Sequence, residues 1–316
     1  MKIYSTKNNT LSEIKSKTFR LEKDIQNLVE ENLETLFGYD KIKSEFSIGD
    51  YRIDTLCYDK QNKSFIILEY KKDKNFSVID QGFSYLSVVL DNRSDLILEY
   101  QEVTGKRLRK DSIDWSQTKI IFVSTSFSQY QKDSINFRDL PIELYEIGQY
   151  ENNSVTLIQH LSRSSSTSIK EVSKSGMIGK VSKQVKVYTE EDHLVERKGE
   201  NYKFSTPSNQ IKELYFKYKN NILNNFENVE MSPKKFYLGF YVKGKIVVDF
   251  TIMKNSMKMT LNMKKGELDD KKGLCRDVSE IGHWGNGDYQ IKVSDDKNFE
   301  YILSLIRQSY EKNSSS

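Results

Sequence analysis

Apolar side chains recur every three or four positions through FRLEKDIQNLVEENLETLFG, where Leu21, Ile25, Leu28, Val29, Leu33 and Leu36 share one face. The spacing predicts a helix ended by Gly38. The period then shortens, and KIKSEFSI, YRIDTLCY and KSFIILEYK read as three strands. VIDQGFSYLSVVLDN returns to helical spacing, followed by a second helix or long loop through Arg109. TKIIFVST reads as a buried strand, SQYQKDSINF as a short helix, and PIELYEIG and SVTLIQHL as later strands. This order predicts an α/β fold with a mixed central sheet and helices on both sides.

Residues 161–205 break the pattern. LSRSSSTSIKEVSKSGMIGK is rich in Ser and Lys with little apolar periodicity, which predicts a linker. KVYTEEDHLVERKG carries one short helix. Two domains result, 1–160 and 206–316. The second opens with a helix in TPSNQIKELYFKYKNNILNNF and continues with strands in KKFYLGFYVKG, KIVVDFTIMK and SMKMTLNMKK. It ends in the helix FEYILSLIRQSYEK, giving a smaller α+β layer. Before that helix lies GHWGNGDY, residues 282–289, whose glycines permit unusual backbone angles and whose His283 and Trp284 offer a polar tip and a stacking face. The expectation there is a turn packing its aromatic onto the sheet, with recognition as the functional reading.

Composition narrows the class. A chain of 316 residues, 37% apolar and 30% charged, is globular and water-facing. No run approaches the ~20 apolar residues of a membrane span, and the N-terminus has no secretory h-region. Cys57 and Cys275 form no spaced metal or disulfide pattern, which fits a reducing cytoplasm. The formal net charge is +4, and all the excess falls in residues 207–316. That is a weak pointer to a polyanion near the C-terminus.

The chemistry concentrates in RIDTLCYDKQNKSFIILEYKK, residues 52–72. Glu69 and Lys71 sit where a buried strand should stay apolar, and side chains two apart share a face. If residues 60–63 form the loop, Tyr58 faces Phe65 and Asp54 faces Glu69, with β-carbons about 5 Å apart. A slip of one residue would separate the two acids. Paired carboxylates repel unless one is protonated or a cation lies between them. Mg²⁺ or Mn²⁺ on Asp54 and Glu69 answers this, because such an ion takes one or two carboxylates, several waters and phosphate oxygens. Lys71 would then orient a water or stabilise a transition state.

Asp54…Glu69-Tyr70-Lys71 in a helix–meander–helix–strand frame resembles the PD-(D/E)XK nuclease superfamily, the restriction-endonuclease-like fold, over about residues 18–150. Ile53 stands where the motif's proline would be. Gln81 and Tyr85 look like the Q-x-x-x-Y helix of RecB-like and mismatch-cutting branches. There the glutamine helps hold the site and the tyrosine supports substrate. The superfamily often adds a glutamate from the first helix. On a helical wheel Glu22 falls about 40° from the centre of the apolar arc, and Glu30 and Glu31 more than about 100° away, so Glu22 is chosen. Glu45 is a further carboxylate, expected across from Asp54 if Gly49-Asp50 makes a two-residue turn. The last domain resembles a small C-terminal domain of unassigned role found in some modification-dependent (type IV) restriction enzyme subunits, suggesting a defence or genome-surveillance setting.

The resemblance implies a metal-dependent endonuclease acting on DNA, with a homodimer as a further expectation. RNA stays open as a substrate, since hydrolysis at phosphate does not itself separate sugars. The alternative is a catalytically silent nucleic-acid-binding or interaction protein on the same frame.

Overall fold

A computed structural model describes residues 2–72, 77–137, 139–160, 168–169, 176–195, 197–199, 202–204, 206–280 and 286–314, with 197–199 and 202–204 described by backbone alone. The chain forms two compact units, Met1–Val187 and Tyr188–Ser316.

The first unit begins with a hairpin of β1 (Ile3–Lys7) and β2 (Thr10–Ile14), turned at Asn8 and Asn9 with left-handed φ of 49° and 60°. Asparagine tolerates that region, and two-residue hairpin turns demand it. A mixed sheet follows, built from β3 (Ser16–Lys17), β4 (Asp40–Ile48), β5 (Tyr51–Asp59), β6 (Ser64–Lys71), β7 (Lys119–Ser124) and β8 (Ile142–Tyr150). Their spatial order is β3-β8-β7-β6-β5-β4, with β9 (Val155–His160) also beside β8. The β4–β5–β6 meander is antiparallel, and β6, β7 and β8 run parallel.

Alternation along β6 divides its side chains between two cores. Phe65 and Ile67 pack with Phe83 and Leu86 of α3 (Val78–Asp91). Ile66, Leu68 and Tyr70 pack with Ile25 and Val29 of α1 (Glu22–Glu31). The sheet is therefore covered on both faces, which is why β6 reads as a nearly continuous apolar run. The first helical stretch is interrupted: α1 stops at Asn32, whose Nδ2 donates back to the Leu28 carbonyl at 2.8 Å. A short α2 (Leu33–Phe37) follows and ends at Gly38, with φ 71°. Such back-bonding competes with the helical ladder and bends it.

Beyond α3 come α4 (Arg93–Thr104) and α5 (Gln129–Ser134). The Ser/Lys-rich stretch read as linker contains α6 (Gly176–Gln184), and Ile169, Val181 and Val185 belong to the α3-side core of the first unit. The contact division falls after Val187.

The second unit holds two backbone-described strands, β10 (Arg197–Gly199) and β11 (Tyr202–Phe204), and a short helix α7 (Glu191–Leu194). Its main sheet comprises β12 (Val229–Pro233), β13 (Leu238–Val242), β14 (Lys245–Ile252), β15 (Met257–Leu261), β16 (Arg276–Asp277) and β17 (Tyr289–Val293). The order is β12-β13-β14-β15-β17-β16, antiparallel throughout. Tyr215, Tyr218 and Ile222 of α8 (Asn209–Asn225) share a core with Phe240, Phe250 and with Leu305 and Ile306 of α9 (Phe299–Ser314). Residues 282–285 of GHWGNGDY lie outside the described residues. Gly287 has φ 121°, and a Cβ there would lie 1.9 Å from the Leu261 carbonyl oxygen, so only glycine fits. Asn286 N–H donates to Asp249 Oδ2 at 2.9 Å. No helix among the described residues is long and apolar enough to cross a membrane.

Candidate active site

The β5–β6 register pairs Tyr58 with Phe65 and Thr55 with Leu68, as the loop at 60–63 predicts. The ladder stops there. One pair further, Asp54 and Glu69 lie level, on the face carrying Leu56, Tyr58, Phe65 and Ile67 toward α3. Asp54 Oδ2 accepts the Tyr70 N–H at 2.9 Å, so a carboxylate takes the amide that a next strand rung would have used. On its other side β6 remains paired to β7 through Lys71 and Ser124.

Glu69 is 2% exposed. Its Oε1 accepts from Lys71 Nζ at 2.7 Å, from Gln81 Nε2 at 3.1 Å and, at a longer 3.4 Å, from the Tyr85 hydroxyl. Its Oε2 is buried with no hydrogen-bond partner among the described residues. Leaving a buried acceptor unmet costs about 1–3 kcal/mol, more when it is charged. Burial, with Asp54 nearby, pushes the Glu69 carboxyl up to about 7, against the pull of Lys71. Burial also raises Asp54, although the Tyr70 amide and Lys71 oppose it. For Lys71, burial alone would favour the neutral amine. Glu69, Asp54 and Glu22 outweigh it and hold the ammonium protonated above its ordinary range.

Gln81 and Tyr85 lie one turn apart on α3, whose start is fixed by Ser77 accepting the Asp80 N–H. The Tyr85 ring meets Tyr51 edge-on at 5.8 Å. Glu22 arrives from the other layer: its Oε2 accepts the Lys72 N–H at 2.8 Å, pinning the helix to the end of β6 while staying exposed. Ser44 pairs with Thr55 and Phe46 with Ile53, which sets Glu45 level with Asp54. Glu45, at a left-handed φ of 53°, is held by Lys23 at 2.9 Å and Arg52 at 2.7 Å.

Gln26 escaped the sequence reading, and Glu30 was set aside by it. Gln26 Nε2 donates to the Asp54 carbonyl at 3.0 Å and to Glu30 at 2.9 Å, fastening the helix to the strand that carries Asp54. Glu30, which the wheel turns away from the sheet, accepts from Ser44 at 2.5 Å and Thr55 at 2.6 Å. It lies on the flank of the buried face, and the two hydroxyls draw it inward. The signal was a polar row of Glu22, Gln26 and Glu30 at intervals of four.

Among the described residues, no group of three or more His, Cys, Asp and Glu is arranged to hold a metal ion. What the site offers is two carboxylates with one unmet oxygen, a donor set too small for a structural cage. It matches an ion that keeps most of its waters.

The molecule is thus a two-unit protein, a mixed α/β unit followed by an antiparallel sheet with helices. Residues 201–313 match the model of a domain of unknown function, DUF5655. The chain is 43% identical over 310 residues to an uncharacterized protein of Haemophilus influenzae, covering 98% of this chain and 99% of that one. It belongs to that protein's family. Three solved structures are similar at low overall score. A repair endonuclease from Pyrococcus abyssi matches at 18% identity over 41% of this chain and 48% of that chain, TM-score 0.25. An EndoMS–dsDNA complex matches at 18% over 36% and 40%, TM-score 0.25. SfsA of Pyrococcus furiosus in complex with Ca²⁺ matches at 17% over 45% and 64%, TM-score 0.24. In each case less than two thirds of the neighbour is spanned.

Proposed function

We propose that the first unit is a nuclease of the restriction-endonuclease-like class, hydrolysing DNA phosphodiester bonds with a divalent ion, Mg²⁺ or Mn²⁺. The observation that carries the reading is Glu69: a buried carboxylate beside Asp54, one oxygen engaged by Lys71 and Gln81, the other unmet among the described residues. A hydrophobic strand has no structural use for that arrangement, which destabilises the fold until a cation reaches it.

Asp54 and Glu69 would hold the ion. The ion would supply an acidified water and neutralise charge growing on phosphate. Lys71, its ammonium kept protonated by the acids around it, would orient that water and stabilise negative charge. Gln81 fixes the rotamer of Glu69, and Glu22 holds the strand end through Lys72. Tyr85, edge-on to Tyr51, offers an aromatic rim for a sugar or base. The second unit would contribute substrate selection, in a restriction or defence role.

Cleavage of labelled duplex DNA with Mg²⁺, by the wild type and by Asp54→Asn and Lys71→Ala, tests the site. The expected result is metal-dependent cutting lost in both variants. Cutting that persists in EDTA or in either variant would falsify the assignment. A matched RNA strand in parallel identifies the sugar.

A further inference from the structure

Opposite the Glu69 end of β6, the first unit carries a cavity of about 940 Å³, bounded by α4, the segment after it and the turn before β7. Trp115 marks it, with its ring stacked on Phe65 at 5.5 Å. Phe65 and Glu69 are four residues apart, roughly 13 Å along a strand, so this cavity is separate from the carboxylate site. We propose that it binds a phosphate ester of nucleotide size.

The first argument is charge. Arg93, Arg107, Arg109 and Lys110 all line the cavity against a single acid, Asp111. Asp111 is taken by Arg109 in a two-bond fork at 3.1 and 2.9 Å. Arg107 and Lys110 have no ion pair among the described residues, so the wall keeps a surplus of three positive charges.

The second argument is unmet hydrogen bonding. Arg93 is half-buried, and among the described residues its hydrogen bond goes to a neutral partner, Gln184 Oε1, at 2.7 Å. Its Nε, like Trp115 Nε1, is buried with no partner among the described residues. Arg93 has no ion pair among the described residues, and partial burial lowers its pKa against the pull of Asp91. Arg93 lies over the Trp115 ring at 5.1 Å, which supports the cation without satisfying its N–H groups.

The third argument is the backbone. Arg93 begins α4, and the preceding Asn92 turns its amide back to the Val88 carbonyl at 2.8 Å instead of capping. The Asp95 N–H is met by the Asn92 carbonyl at 3.1 Å, and the Arg93 and Ser94 N–H groups, with no side-chain cap, favour an anion there beside the turn's own acid, Asp95. An acceptor-rich group carrying two or more negative charges answers all three deficits, and bidentate arginine suits phosphate oxygen. Ile97 and Leu108 add an apolar wall, so an organic ester should bind more tightly than bare phosphate.

The chain has two tryptophans, Trp115 and Trp284. In a Trp284→Phe background, emission reports Trp115 alone. Titration in EDTA, which keeps ions from the carboxylate site, with ATP, inorganic phosphate and a short DNA duplex in separate arms, tests the proposal. A saturable change with ATP, weaker with phosphate, supports a free nucleotide as ligand. Saturation with the duplex alone supports the same phosphate site filled by DNA backbone. Arg107→Gln, at an exposed side chain free to change without unfolding, should weaken binding roughly tenfold, and Arg93→Gln at least as much. No response in any arm, or affinity unchanged in both folded variants, overturns the proposal. Because metal is absent, failure here leaves the nuclease reading untouched, and failure of cleavage leaves this one untouched.

Discussion

Glu30, reaching from α1 to β4 and β5, and Glu69, on β6 itself, are both glutamates buried at the same sheet, and they are treated in opposite ways. Glu30, with a side chain 8% exposed, receives hydrogen bonds from Ser44, Thr55 and Gln26 and an ion pair from Lys41. Burial alone would raise its pKa, but those donors outweigh it and the group ends below the ordinary carboxylate range. Glu69 has its donors crowded onto one oxygen and an acid beside it, and ends near 7. The same residue type, on opposite faces of one sheet, is a completed joint at one place and an open valence at the other. A carboxylate answered on every side builds the fold; one left short is available to a ligand.

Activity is where the contrast should be largest. Asp54→Asn and Lys71→Ala should each lower DNA cleavage by at least about a hundredfold. Glu30→Gln should cut at a rate near wild type once folded. An equal loss in all three would erase the distinction between joint and open valence.

The next effect is thermal. Mg²⁺ at about a hundred times its Kd should stabilise the wild type by roughly 2.7 kcal/mol, read as a raised Tm. The increment should vanish in Glu69→Gln and survive in Glu30→Gln. An increment unchanged in Glu69→Gln would move the ion elsewhere.

Metal-free pH profiles should then diverge. Glu30 has a folded pKa below its unfolded value of 4.5, so its contribution is present above that pH and lost as the pH falls through the lower, folded value. Glu69 has a folded pKa near 7. It favours the fold most below about 4.5 and loses that advantage as the pH rises through 7. In EDTA, Glu30→Gln should lower Tm at pH 7 and little at pH 3. Glu69→Gln should stabilise the fold relative to wild type at pH 8, by less than about 3 kcal/mol because Lys71 loses its partner, read as a raised Tm. Profiles of the same sign would refute the difference drawn between them.

Gln26→Ala should give the smallest effect that still crosses between the two. It removes donors to both Glu30 and the Asp54 carbonyl. Stability should fall by about 1–2 kcal/mol, with a modest drop in kcat and an unchanged metal affinity.

The sequence made the meander legible because its loop residues and apolar alternation agree: once 60–63 is the turn, Tyr58 must meet Phe65. Gln81 and Tyr85 were singled out by the family resemblance rather than by spacing, and both side chains reach Glu69 Oε1. The break at Asn32 was hidden because apolar spacing continues through it, while α1 ends where the Asn32 amide turns back to Leu28 and its N–H to Val29. The β1–β2 hairpin and β12 went unread because their strands are short and largely polar-facing, although Asn8-Asn9 is a turn signal by itself. α6 lay in a stretch judged by its serines and lysines, while Val181 and Ile178 supply the face it packs. Glu30 was misplaced by the wheel, which measures angle and takes no account of reach or of hydroxyls waiting on the sheet.

The early end of the β5–β6 pairing has a practical consequence for anyone altering Asp54. The side chain closes the fork between two strands by holding the Tyr70 amide. Alanine therefore removes a clasp as well as a charge, and the strands would be free to part. Asparagine keeps an oxygen for the clasp while discarding the charge. Its inactivity would speak to chemistry, where alanine's would speak to both.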